Sequence, residues 1–107
     1  MMVISNLKEG QLTVKLIGRM ETVAAPRLEE KLKISLRNVK TLIMDMEELE
    51  YISSVGISVL FSVQKIMNKQ GKMIVRNVNE DVMKAFEEIG AVDVLTIEKG
   101  GYVEINT

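Results

Sequence analysis

Residues 51–62, "YISSVGISVLFS", hold the hydroxyls best placed to do chemistry. Ser53 and Ser54 stand together at the start of an apolar pattern with helical spacing, and Ser54 lies two residues before Gly56. A serine ahead of a helix accepts a hydrogen bond from an amide of the first turn, worth about 1 kcal/mol. Either serine can do this, and capping needs only one. The other is then an incidental small residue or a hydroxyl free for another use. Helix starts carry unpaired amides and about half a positive charge, which together favour an anion. A phosphate on Ser54 would sit in that field at little cost to the fold while adding close to two negative charges.

Hydrolytic or transfer chemistry is a poorer reading of the same hydroxyls. A serine nucleophile needs a base beside it. The chain has no histidine and no cysteine, which removes Ser-His-Asp arrangements, thiolate nucleophiles, disulfides and Cys/His zinc sites. Lys40 or Lys65 would have to be buried with a depressed pKa, and nothing in their spacing argues for it. There is no G-x-x-x-x-G-K loop, so ATP for any phosphorylation must arrive bound to a partner. The expectation is a protein that is not an enzyme and carries no cofactor or metal.

These serines need a scaffold. Met2 to Lys8 reads as a short strand, Gly10 in "KEGQ" as a tight turn, and "QLTVKLIGR" as a half-buried strand alternating Leu12, Val14 and Leu16 against Thr13 and Lys15. The two strands predict an antiparallel hairpin, with Gly18 breaking the second. Pro26 suits a first helical turn, and Ala25, Leu28, Leu32 and Leu36 define one buried face. "TLIMDM" reads as a central strand and "EELEY" as a polar break. The serine helix then runs to about Gln70, burying Val55, Gly56, Val59, Leu60, Val63, Ile66 and Met67, and stops at Gly71. "KMIVR" is the next strand. Asn79 caps a third helix with Val82, Phe86 and Ile89 inward, and Gly90 ends it. "VDVLTI" is a last strand candidate before a turn and tail in "EKGGYVEINT". The order is β-β-α-β-α-β-α-β. It predicts a single α/β domain over residues 1–107, a mixed, mostly parallel sheet of four to five strands with an N-terminal hairpin and about three helices.

Composition agrees. The 107 residues are 47% hydrophobic and 27% charged, ordinary for a soluble globular domain. Only 4% are aromatic, so Val, Ile, Leu and eight Met must fill the core; Met44, Met67 and Met73 fall at core-like positions, and Met2, Met20 and Met46 are open. Net charge is −1 with no basic run, which argues against nucleic acid. No apolar run approaches the ~20 residues that span a bilayer, and "MMVISNLKEG" does not read as a signal peptide, so no membrane is expected and the cytoplasm is the default compartment. If the serine helix buries a face centred on Val59 and Val63, Ile57 and Phe61 project away from it, as edge-of-core residues or as a docking surface.

The run from "LIMDMEELEYISSVGISVLFSVQKIMNKQGKMIVRNVN" to "AVDVL", with "LTVKLIGRMET" before it, resembles the STAS domain family, specifically the single-domain bacterial anti-sigma factor antagonists. The resemblance implies a protein-binding switch. Unphosphorylated, the domain would hold an anti-sigma factor that is itself a serine kinase, releasing the sigma factor; phosphorylation would eject the antagonist, and a phosphatase would reset it. Counting back from Gly56 carries the acceptor role to Ser54. The family's usual aspartate before that serine is Ser53 here, which makes Ser53 a second candidate acceptor. Glu21 falls where the family often has aspartate, and Asp45 at a polar position ending the central strand. The partner surface so implied comprises Ser53, Ser54, Gly56, Ile57, Phe61 and Glu21, with Glu47, Glu48 and Glu50 deepening a negative field. Two other roles remain: a STAS-like module for stress signalling or for sensing a small ligand or nucleotide, and a structural adaptor whose serines merely cap.

Overall fold

A two-residue turn decides how the chain starts. In the computed structural model, which describes residues 1–98, strand β1 (Met2–Lys8) and strand β2 (Gln11–Met20) are joined by Glu9 and Gly10, with φ of 50° and 78°. Positive φ at both turn residues matches the twist of a hairpin, and β1 and β2 pair antiparallel with Lys8 opposite Gln11. Helix α1 (Ala24–Ser35) crosses to strand β3 (Thr41–Ile52), and helix α2 (Ser54–Gln70) crosses to strand β4 (Lys72–Arg76). Both crossovers make parallel pairs, so the sheet order is β1-β2-β3-β4. Helix α3 (Glu80–Ile89) follows, then a 3₁₀ turn at Ala91–Asp93.

One face of the sheet makes the core. Leu12, Leu42 and Met73 form one row across β2, β3 and β4, and Val14, Met44 and Val75 the next, all buried. Ala25, Leu28, Leu32 and Leu36 of the α1 segment, with Val59, Leu60, Val63 and Met67 of α2, close over that face. Met20 and Met46 join it, so five methionines are fully buried where aromatic side chains are scarce, whereas Met2 is exposed on the edge strand. The opposite face carries Thr13, Lys15, Asp45 and Arg76. Lys15 bonds Glu48 at 2.6 Å, which holds its ammonium above the ordinary lysine range.

Strand β3 departs from the expected pattern. It continues through "EELEY" to Ile52, because two bulges absorb the polar residues. Between Lys15↔Asp45 and Ile17↔Glu48, and again between Gly18↔Leu49 and Arg19↔Tyr51, β3 contributes one residue more than β2. Each extra residue resets which side faces inward. Met46, Leu49 and Ile52 are therefore all buried at spacings of three. Gly18, with φ of 100°, sits at the second bulge and does not end β2, which runs on to Met20.

Two further expectations need correction. "VDVLTI" is not a strand: Ala91 and Leu95 are buried one helical turn apart, joined by a 2.8 Å amide-to-carbonyl bond, which leaves Val92 and Val94 exposed. Only Ile97 retains sheet character, as an isolated parallel bridge to Val75. Ile89 is 46% exposed, because Gly90, in the left-handed region, turns the chain away just after it. Gly71 ends α2 as expected, and glycine is required there because a Cβ would collide with the Lys40 carbonyl oxygen. The tail expected in "EKGGYVEINT" lies, from residue 99 onward, outside the described residues.

Candidate functional site

The two serines have different fates. Strand β3 ends at Ile52, and the Ser53 amide donates to the Met20 carbonyl at 2.9 Å, which ties the chain to the end of β2. Ser53 keeps an extended backbone and its Oγ accepts from the Gly56 amide at 3.1 Å. It is the cap, and it is only 6% exposed. Ser54 is the first residue of α2 and is exposed. Its carbonyl accepts from the Ser58 hydroxyl at 3.1 Å, and among the described residues no hydrogen bond engages its own hydroxyl. The Ser53 cap satisfies the third amide of the helix, leaving the amides of Ser54 and Val55, which have no intrahelical acceptor, at the open end.

Gly56 is required by packing. A Cβ there would lie 2.8 Å from Ile52 Cγ1 and from Met20 Sδ, so the helix start rests directly on the ends of β2 and β3. Gly56 is buried and positions the serines without presenting a surface. Ile57 also departs from expectation. It is 1% exposed and part of the core cluster, because the buried face of α2 is wider than a stripe centred on Val59 and Val63. Phe61 is half-buried against the same cluster. Val55, expected inside, is 38% exposed next to Ser54.

Around Ser54 the exposed surface is built from strand ends. Glu21 follows Met20 and is held by the Arg19 guanidinium at 2.9 Å. The same guanidinium lies 4.4 Å from the ring centre of Tyr51, a cation–π contact that fixes both residues beside the helix start. Sequence reasoning missed Arg19, Tyr51 and Val55. The aromatic residue two positions before the first serine was the available signal for Tyr51, and the bulge that swings it toward Arg19 was not readable.

The acidic residues divide. Glu48 is neutralised by Lys15, and Asp45 is occupied by the Glu47 amide at 3.0 Å and the Asn77 side chain at 3.2 Å. Glu48 is four residues from the end of β3, so about 13 Å of strand separates it from the serines, beyond the ~8 Å screening length at physiological salt. Glu47 lies farther still. Of the three acids expected to shape the local field, Glu50 alone remains close. Asp45 sits within β3, not at its end.

Two grooves flank this end of the molecule and share Glu50. One, of 690 Å³, runs between the start of α1 and the hairpin; the other, of 180 Å³, lies between the end of β3 and α3. No helix among the described residues is long and apolar enough to cross a membrane, and among them no group of three or more carboxylates could hold a metal.

Comparison with known proteins gives a consistent outcome. The profile of the STAS domain matches residues 3–100. The anti-sigma-B factor antagonist of Bacillus subtilis (strain 168) is 27% identical over 90 residues, 83% of each chain. An anti-sigma factor antagonist from Mycobacterium paratuberculosis superposes with a TM-score of 0.82 at 18% identity, over 92% of this chain and 85% of that one. The Bacillus cell fate determinant SpoIIAA in its phosphorylated form gives 0.71 at 18% identity, over 92% of each.

Proposed function

The chain belongs to the STAS domain family, and from that premise we propose that it is an anti-sigma factor antagonist switched by phosphorylation of Ser54. The observation that carries this reading is the division of labour between the serines: Ser53 is buried as the cap, and Ser54 is exposed with its hydroxyl uncommitted. A kinase can reach Ser54 without disturbing the helix. Reaching Ser53 would require breaking the cap and drawing a buried hydroxyl outward, so Ser54 is the single acceptor.

In the unphosphorylated state the exposed ring of Ser54, Val55, Tyr51, Arg19 and Glu21, with Phe61 at its margin, binds an anti-sigma factor and frees the sigma factor. The anti-sigma factor supplies the kinase and the ATP. Phosphorylation adds about −1.5 to −2 charge beside the two open amides of α2, which accommodate it. The fold is undisturbed, while a partner surface fitted to a neutral hydroxyl now meets a charged, bulkier group. Glu50 adds like charge nearby. A phosphatase resets the site, and the chain is the kinase's substrate and not itself an enzyme.

The test is calorimetric titration of the protein against anti-sigma kinases of the same genome, followed by mass spectrometry after adding ATP. Wild type binds and gains one phosphoryl group on Ser54. Ser54→Asp leaves the far-ultraviolet circular dichroism unchanged and weakens binding at least tenfold. An aspartate variant that binds as tightly as wild type ends the switch assignment.

A further inference from the structure

The two grooves beside the serines carry opposite charge, and nothing in the switch accounts for this. In the larger one, Arg19 and Glu21 neutralise one another at 2.9 Å. That leaves Arg27 and Lys31, one turn apart on the exposed side of α1, against Glu50 alone. Among the described residues neither Arg27 nor Lys31 is held in an ion pair. The floor between them is apolar, with Val3 and Val23 exposed to solvent. The smaller groove has Glu50, Asp81 and Glu88 against one cation, Lys84. Its acids gain support from the start of α3, where Glu80 and Asp81 occupy the first turn.

We propose that the anti-sigma factor lays an acidic, partly apolar segment along the α1 groove on Arg27 and Lys31, and that the acidic α3 groove fixes the direction of docking by rejecting the same segment. This rests on the proposed function and extends it: Arg19, Glu21 and Glu50 line the larger groove and Glu50, Tyr51 and Ile52 the smaller, at the strand ends that lead into the serines. Complementary charge of this kind acts mainly on encounter rate and orientation, and like-charge juxtaposition excludes the reversed pose. Each cation at the rim is solvated, so its influence falls with added salt.

The experiment uses stopped-flow association with the anti-sigma factor that binds wild type in the titration above. Arg27→Glu with Lys31→Glu reverses the groove. Lys33→Glu with Arg37→Glu makes the same change in net charge from exposed positions outside the groove. The groove pair slows association about tenfold and flattens its dependence on ionic strength, while the control pair changes it less than twofold. Circular dichroism of both pairs matches wild type. Equal slowing by the two pairs, no slowing by the groove pair, or faster association overturns the inference and leaves the antagonist role standing. A wild-type chain that binds no anti-sigma factor overturns both.

Discussion

Replacing each serine by alanine separates fold from switch, because the two hydroxyls do different work. Ser53→Ala removes the Oγ that accepts from the Gly56 amide at 3.1 Å. Loss of a serine cap costs about 0.5–2 kcal/mol, and Gly56 is buried, so its amide is left without water as a substitute. The upper part of that range applies, about 1.5–2 kcal/mol. In a domain near 100 residues each kcal/mol moves the melting temperature by about 4 °C or somewhat more, which gives a fall of about 6–10 °C. Ser54→Ala removes an exposed hydroxyl that makes no hydrogen bond among the described residues and adds a better helix former, so its effect stays within about 0.5 kcal/mol, or about 2 °C.

Thermal unfolding followed by circular dichroism gives the first half of the comparison, and mass spectrometry after kinase and ATP gives the second. Ser53→Ala is destabilised and still takes phosphate; Ser54→Ala is as stable as wild type and takes none. Equal destabilisation by the two variants would refute the assignment of the cap. Phosphate on the Ser54→Ala protein would refute the assignment of the acceptor.

Gly71→Ala forces a Cβ against the Lys40 carbonyl, a backbone atom that cannot swing aside, and its cost exceeds the ~1–3 kcal/mol of ordinary overpacking; chemical denaturation reads it directly. Asn79→Ala removes both the α3 cap, accepted from Val82 at 2.9 Å, and the 2.8 Å bond donated to the Leu49 carbonyl, for a loss of about 2 kcal/mol in the same assay. Gln64 is 4% exposed, its Oε1 has no partner among the described residues, and Nε2 donates to Asn68. Gln64→Met therefore raises the melting temperature, since an unpaired buried acceptor costs about 1–3 kcal/mol; a fall in melting temperature contradicts this. Ser53→Asp keeps the cap, melts no lower than wild type, and still accepts phosphate on Ser54 by mass spectrometry.

The hairpin, α1 and the ends of α2 and α3 were legible because each depends on local chemistry: a turn glycine, a 3.6-residue apolar stripe, a capping residue. Strand β3 was legible only in its first half, where the continuous apolar run Leu42, Ile43 and Met44 marks a central strand; beyond Met46 the bulges break the pattern. The same bulges determine what surrounds the serines. They turn Tyr51 toward Arg19 and keep Glu47 and Glu48 remote, which no pattern of residue types conveys. Ile57 and Val55 exchanged roles for a related reason. The buried width of α2 follows from what packs against it, and a single helix pattern cannot supply that. The last segment misled because two exposed valines mimic a strand while Ala91 and Leu95 set a helical turn.

Ser53 in place of the aspartate usual in such antagonists acquires a physical meaning from its burial. Serine and aspartate are equally good caps, so the geometry that presents the next residue survives the exchange. What changes is charge. An aspartate would already draw on the positive start of α2 and would repel a phosphate one residue away; a serine cap leaves that field to the phosphate alone. Under the proposed switch, the phosphorylated state would be set by Ser54, the two open amides and Glu50, and the contrast between the neutral and charged surfaces would be correspondingly large. Docking specificity then has to come from groups outside the serine pair, and Arg27 and Lys31 on one side with Asp81 and Glu88 on the other are the charges positioned to supply it.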